Sequence, residues 1–337
     1  MIWVRRMAYV FATLLVLLAA GAGWLWYAKP WIPKAELLNP QPDGTRIAQD
    51  GLLGNFYPSR KAGPQPAILV LGGSEGGLGT EMTNLAKALQ REGYAAFHLA
   101  YHRGPGLPAR MVDMPLERFE RALAWLKTQP GIDPARIAIA AWSRGTEVAQ
   151  LLAIRHPDIR ALVLGMPANA VWAGFDWNNP FSTPGAAWTE GGKPLPYVSV
   201  ENVGFTFDFY APEWLASLER VQAARPEVVI PVEKISAHVL MICGEKDGVW
   251  ASCPMSRMIE ARAKRNGQQN VQLLAYPDAG HYGFGAPLAP SDPRFRQLYV
   301  LGGSNEGTAA ALTDGWQKTR AFLSSALEPT EPAAVAP

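Results

Sequence analysis

Apolar residues follow two patterns along this chain. Short unbroken apolar runs, bounded by glycine, proline or charged turns, alternate with stretches in which apolar residues recur every three or four positions. The first pattern is that of strands buried on both faces, the second that of helices with one face against them. Read coarsely, and with some polar residues inside the runs, strands are predicted at 47–53, 67–71, 94–99, 136–141, 159–165, 238–243 and 271–275. The periodic stretches predict helices at 80–91, 115–128, 144–155, 254–265 and 308–326. Such alternation makes an α/β fold, a mainly parallel sheet flanked by helices. Residues 167–234 break it with an aromatic-rich insertion that includes Trp172, Phe175, Phe181, Trp188, Phe205 and Trp214. This is expected to be a lid with a small core of its own, holding about two thirds of these rings. Period-2 alternation over 198–209 predicts a hairpin within it.

The N-terminal pattern is different. Residues 7–27 are uncharged and mostly apolar, long enough to cross a bilayer as a helix. Arg5 and Arg6 precede them, and Trp24, Trp26, Tyr27 and Trp31 lie at the far end, which fits an uncleaved anchor with an aromatic belt and a cytoplasmic N-terminus. The alternative is a cleaved signal peptide with Ala20-Gly21-Ala22 as its small-residue site. Either places the rest of the chain outside the cytoplasm, in a bacterium the periplasm. Residues 1–28 then form the membrane or signal segment, 29–46 a linker, and 47–327 one domain of about 300 residues. Residues 328–337, rich in proline and alanine, read as a disordered tail. A net charge of +2 without basic runs gives no case for a nucleic-acid partner.

Candidate chemistry sits at the ends of the strands. The 136–141 strand runs into Ala141-Trp142-Ser143-Arg144-Gly145, and a helix follows. A nucleophilic serine on a sharp strand-to-helix turn needs small residues two positions before and after it, here Ala141 and Gly145. An acid and a histidine should follow in that order after later strands. Asp247 follows the 238–243 strand and His281 the 271–275 strand. In such a triad Ser143 attacks a carbonyl carbon, His281 moves the proton and Asp247 fixes the imidazole tautomer. Asp278 and Glu245 are local alternatives for the acid. Donors for the oxyanion are expected from the backbone N–H of Arg144 and, in the glycine-rich loop after the 67–71 strand, from Gly73 and Ser74. That loop lacks the endings of nucleotide-binding loops. Trp142, Trp172, Phe175 and Phe205 are candidates for an apolar acyl pocket. The Gly302-Gly303 run reads as a connection to the last helix. His98, His102, His156 and His238 read as structural or surface histidines, with no metal spacing, and neither metal nor cofactor is expected. Cys243 and Cys253 either pair, as an oxidising compartment permits, or remain a buried strand thiol and an unrelated surface thiol.

The motifs together resemble the C-terminal catalytic domain shared by acyl-CoA thioesterases and bile acid-CoA:amino acid N-acyltransferases. The likeness rests on Leu71-Gly72-Gly73-Ser74-Glu75-Gly76-Gly77, on 142–147, on 244–250, on Ala279-Gly280-His281, on Gly302-Gly303 and on Gly315-Trp316-Gln317-Lys318. It covers roughly 50–327. It implies an α/β-hydrolase fold, Ser143, Asp247 and His281 as the triad, and a small-molecule acyl thioester or ester as substrate. Two departures bear on function. The residues ahead of 50 are too few for the β-sandwich domain that such enzymes carry. The conjugating enzymes use cysteine where this chain has Ser143, which favours transfer of the acyl group to water. A location outside the cytoplasm sits poorly with coenzyme A esters, so carboxylic ester hydrolysis, peptide hydrolysis and a catalytically silent binding module are the alternatives.

Overall fold

The structure, a computed structural model, describes residues 2–29, 32, 34–180 and 182–329. Trp31, Phe181 and residues 330–337 of the proposed tail lie outside the described residues.

An exposed N-terminal helix, α1 (Ile2–Ala28), precedes the domain. Its segment Arg5–Ala28, mean hydropathy 2.0, is long and apolar enough to cross a membrane and is not buried against the rest of the chain. In the segment that follows, Leu37 forms a β-bridge with Leu78, and the Glu36 carboxylate accepts from Thr80 N and Oγ1.

The central elements come in the order β1 (Thr45–Gln49), β2 (Leu52–Tyr57), β3 (Gln65–Leu71), α2 (Thr80–Glu92) and β4 (Ala95–Ala100). After a two-residue strand, β5 (Met114–Pro115), come α3 (Leu116–Lys127), β6 (Ile132–Trp142), α4 (Gly145–Arg155) and β7 (Ile159–Gly165). The insertion contributes β8 (Trp188–Glu190), β9 (Lys193–Pro194), α5 (Val200–Val203) and α6 (Pro212–Ala224). The domain closes with β10 (His238–Gly244), α7 (Ser252–Arg265), β11 (Val271–Tyr276) and α8 (Asn305–Ala326). The main sheet has the order β1-β2-β4-β3-β6-β7-β10-β11, antiparallel through β1, β2 and β4 and parallel from β4 onward.

The unbroken apolar runs have a simple cause. In β3, Ala67, Leu69 and Leu71 face a layer containing α3, α4 and α7, while Ile68 and Val70 face one containing α2 and α8. With both faces covered, no position from 67 to 71 is left for a polar residue.

Two expectations fail. The strand predicted at 47–53 is a hairpin, β1 and β2, turned by Asp50 (φ 53°) and Gly51 (φ 75°). Both central residues lie in the left-handed region that a tight Asp-Gly turn requires. The hairpin predicted at 198–209 does not form, since Val200–Val203 is helical and Val198 instead bridges Trp172. The insertion does build its own core, in which Trp214, Leu218 and Val228 pack with Trp250 and Met255 and Trp172 stacks on Trp214 at 6.2 Å. Trp188 is fully buried in the main core instead.

Candidate active site

The strand order fixes where a site can lie. β3 leads through α2 to β4 on one side, while β6 lies on the other, so the chain changes direction between β3 and β6. A crevice opens at the carboxyl ends of strands at such a point. Leu71 and Ala141 pair there, which sets the Gly72-Gly73 loop beside Ser143.

Ser143 has φ 53°, a left-handed conformation costly for any residue with a Cβ. The turn is held by its N–H donating to Gly165 O (2.9 Å) and its carbonyl accepting from Thr146 N (3.0 Å) and Oγ1 (2.7 Å). A Cβ on Gly145 would stand 2.3 Å from Gly72 O, so only glycine lets the turn and the loop touch. Ala141 is fully buried in the core.

Asp247 follows β10 and His281 follows β11, and both are buried. His281 Nδ1 and Asp247 Oδ2 are 2.8 Å apart, while Asp247 Oδ1 accepts from Val249 N (2.9 Å) and Trp250 N (3.3 Å). The competing carboxyls turn away. Asp278 pairs with Lys246 at 2.5 Å, and Glu245 pairs with Arg257. The Asp247 contact uses His281 Nδ1 and leaves Nε2 as the ring nitrogen for a second partner; among the described residues no hydrogen bond joins the ring to Ser143 Oγ.

Gly302-Gly303 is more than a connection to the last helix. Gly302 (φ 90°) bridges Asp247, and Gly303 (φ 70°) bridges Ala279. Leu301 O accepts from both Gly248 N and His281 N at 3.0 Å. A Cβ on Gly302 would meet Lys246 O at 2.1 Å, so the pair locks the Asp247 and His281 loops against each other. The Cys243–Cys253 disulfide ties the two ends of the Asp247 loop; of the two alternatives the structure has the paired one, and Cys253 is buried rather than a surface thiol.

The nominated donor loop holds a residue that the sequence did not single out. Gly73 N–H donates to Glu75 Oε1 and Oε2, each at 2.9 Å. Glu75 is partly exposed as a residue, but its carboxyl end is enclosed, and burial raises that carboxyl to about 7 against the lowering effect of the Gly73 N–H. Tyr101 Oη braces the loop by donating to Gly72 O (2.8 Å) and Gly73 O (3.0 Å). Ser74 O accepts from Trp177 Nε1 at 2.6 Å.

Arg144 is anchored by Glu147, fully buried one turn into α4, whose Oε1 stands 2.5 Å from Arg144 Nε as an ion pair without aligned hydrogen-bond geometry. Glu147 Oε2 also accepts from Trp188 Nε1 (2.8 Å) and Trp172 N (3.1 Å), joining the Ser143 turn to the insertion. Burial raises the Glu147 carboxyl, and Arg144 offsets part of that. Burial likewise lowers His98 to about 3 and His102 to about 4, leaving both neutral at ordinary pH. Thr83 Oγ1 lies 3.2 Å from His98 Nδ1, and Ser74 O lies 3.2 Å from His102 Nε2.

The four pocket candidates separate. Trp142 lies behind His281, with its Nε1 donating to His281 O (3.0 Å) and its ring 5.1 Å from the imidazole. Trp172 joins the insertion core and Phe175 packs edge-on against Trp177. Phe205 is exposed beside Phe207. None of the four lines the cavity of about 280 Å³ beside Tyr282, which is bounded by Phe284, Leu298, Leu312, Glu81 and Arg294.

This chain is 27% identical over 309 residues to the bile acid-CoA:amino acid N-acyltransferase of Mus musculus, covering 90% of this chain and 68% of that one. It is also 27% identical over 328 residues to the mitochondrial acyl-coenzyme A thioesterase 2 of Rattus norvegicus, covering 88% and 67%. Among solved structures, a dienelactone hydrolase-like promiscuous phosphotriesterase from metagenomic libraries superposes with a TM-score of 0.50 at 16% identity, covering 81% of this chain and 92% of that one. That likeness and the parallel sheet establish the α/β-hydrolase fold. The profile of the family described as BAAT / Acyl-CoA thioester hydrolase C terminal matches residues 114–329, and the chain belongs to that family.

Proposed function

We propose that this chain is a membrane-anchored serine hydrolase that cleaves acyl thioesters or carboxylic esters through Ser143, His281 and Asp247. One observation carries the reading: the buried 2.8 Å contact between His281 Nδ1 and Asp247 Oδ2, in a fold that also holds Ser143 on a left-handed turn at the strand switch point. In the reaction Ser143 Oγ attacks the carbonyl carbon and gives its proton to His281 Nε2. The oxyanion is received by the Arg144 N–H at the head of α4 and by an N–H of the Gly73-Ser74 loop. The bond to sulfur or oxygen then breaks, and the imidazolium returns the proton to the leaving group. Water repeats the attack on the acyl-enzyme with His281 as base, releasing the acid.

The thioester half of this reading comes from the relatives, which include an acyl-coenzyme A thioesterase. Serine at the attacking position favours water over an amino acid as acceptor. The carboxylic ester half is favoured by compartment. α1 reads as an anchor with a cytoplasmic N-terminus, and the Cys243–Cys253 bond suits an oxidising space outside the cytoplasm. Coenzyme A esters belong to the opposite side of that membrane.

The test uses the full chain in detergent micelles, with Ser143→Ala as control. Thiol release from acyl-CoAs of graded chain length is measured beside hydrolysis of matched nitrophenyl esters. Ser143-dependent thiol release with selectivity over the esters supports the thioesterase reading. Ester cleavage alone makes the chain a carboxylesterase. Inertness toward both, with no serine labelling by a fluorophosphonate, refutes the hydrolase reading.

A further inference from the structure

We propose that Glu75 is the gate of the oxyanion pocket: its carboxyl holds the Gly73 N–H at rest and leaves when a substrate carbonyl takes its place. The inference rests on the hydrolase reading and adds a residue to it.

The geometry is specific. The loop after β3 is the segment from which this fold supplies one oxyanion donor, and its Gly73 N–H is already engaged by both Glu75 oxygens at 2.9 Å. The carboxyl and the attacking hydroxyl flank the same glycine. The point where a Gly73 Cβ would stand is 3.0 Å from Glu75 Oε2, 3.2 Å from Ser143 Oγ and 2.8 Å from Ser143 Cβ. An ionised carboxylate in that place opposes the reaction twice. It occupies the donor, and it repels the negative charge that develops on the substrate oxygen. The reaction therefore requires that Glu75 move off or be neutral. At rest the same contact satisfies an N–H that would otherwise be enclosed without a partner.

Charged and titratable groups face this carboxyl from several elements. Glu81 of α2 and His281 after β11 act on it directly, and it acts in turn on Tyr101 and Arg103 after β4 and on Tyr282. Burial dominates and raises the carboxyl to about 7. Below that pH the group is a neutral acid, a weaker acceptor that a carbonyl displaces readily. Above it the group is a carboxylate bound to the donor. Attack on a neutral substrate should thus slow as pH rises through about 7, on a limb that belongs to Glu75.

The experiment measures the second-order rate of Ser143 labelling by a neutral fluorophosphonate from about pH 6 to 9, with the full chain in detergent micelles. Glu75→Gln keeps the side-chain length and an acceptor oxygen but cannot ionise, and Glu75→Ala empties the place. Both are expected to lose the alkaline fall and to label about tenfold faster than wild type at the alkaline end. Glu75→Asp, too short to reach Gly73 N, should label as the alanine variant does, and it serves if the alanine variant does not fold. Wild-type rates and an unchanged pH profile in Glu75→Gln overturn the gate. Slower labelling of Glu75→Gln at every pH overturns it too, since the carboxyl would then assist attack. An unlabelled wild type removes the hydrolase reading itself, and with it the gate, which keeps the two failures distinct.

Discussion

Replacing Asp247 by asparagine tests the proposed triad most sharply, because the surroundings dictate how the new amide must sit. Asp247 Oδ1 accepts two backbone N–H groups, from Val249 and Trp250, and only an oxygen can take that position. The asparagine NH2 is then forced into the place of Oδ2, 2.8 Å from His281 Nδ1. An NH2 donates, so Nδ1 must accept, and the single ring proton moves to Nε2. That is the nitrogen that should receive the Ser143 proton, so the variant holds the wrong tautomer in an otherwise intact site. The same exchange in a serine protease triad lowers kcat about 10⁴-fold, which is about 5 kcal/mol of transition-state stabilisation. A comparable loss is expected here in kcat for a nitrophenyl ester, with the melting temperature shifted by only a few degrees. Asp278→Asn and Glu245→Gln should stay within about twofold of wild type, because those carboxyls pair with the surface cations Lys246 and Arg257. Asp247→Asn retaining more than about a tenth of wild-type kcat, or Asp278→Asn losing more than it does, would refute the assignment.

Four further outcomes follow from the geometry. Removing the disulfide by Cys243→Ala with Cys253→Ala should cost about 2–3 kcal/mol of stability, since it releases a short loop; superimposable denaturant curves for variant and wild type would contradict this. Gly302→Ala must push a Cβ to 2.1 Å from Lys246 O at φ 90°, so stability should fall by about 2 kcal/mol or more and esterase activity with it. Gly267→Ala, also at positive φ but with open space around it, should cost only about 1 kcal/mol and leave activity unchanged. The Glu233 carboxyl is held below its ordinary value by the two 2.6 Å bonds from Arg262, so its stabilisation is present above the unfolded-state value and lost as pH falls through the folded one. Thermal melts across the acid range should therefore show a shallower decline for Glu233→Gln than for wild type.

Much of the fold was legible because its demands fall on residue type. Strands covered on both faces leave unbroken apolar runs, as at 67–71 in β3, 161–164 in β7 and 239–243 in β10, and the sharp turn at Ser143 demands glycine at 145. The β1–β2 hairpin is written just as plainly in Asp50-Gly51, a turn signal that a single strand over 47–53 passes over. The false hairpin at 198–209 has a different cause. Period-2 alternation over a few residues is weak evidence when a helix as short as Val200–Val203 can carry it.

What the sequence hides at the site is direction. Trp142 adjoins Ser143 in the chain, and adjacency suggested a pocket wall. Strand alternation argues otherwise: Ala138 and Ala140 face the α2 and α8 layer, and Trp142 continues that face, so its ring lies behind His281. The signal was present and needed only to be carried two residues further along the strand. Glu75 offers no such rule, because a loop has no period that says which way a side chain turns. It stood inside the glycine-rich motif in plain view, and only the fold shows that its carboxyl turns back onto Gly73 N. The Gly302-Gly303 pair is an intermediate case. Two consecutive glycines announce backbone that a Cβ would obstruct, but what obstructs it, the Asp247 and Ala279 backbone, arrives from strands far away in sequence. A constraint between a residue and its chain neighbours is thus recorded in the sequence, whereas one between distant loops is recorded only as an unexplained glycine or an unplaced acid.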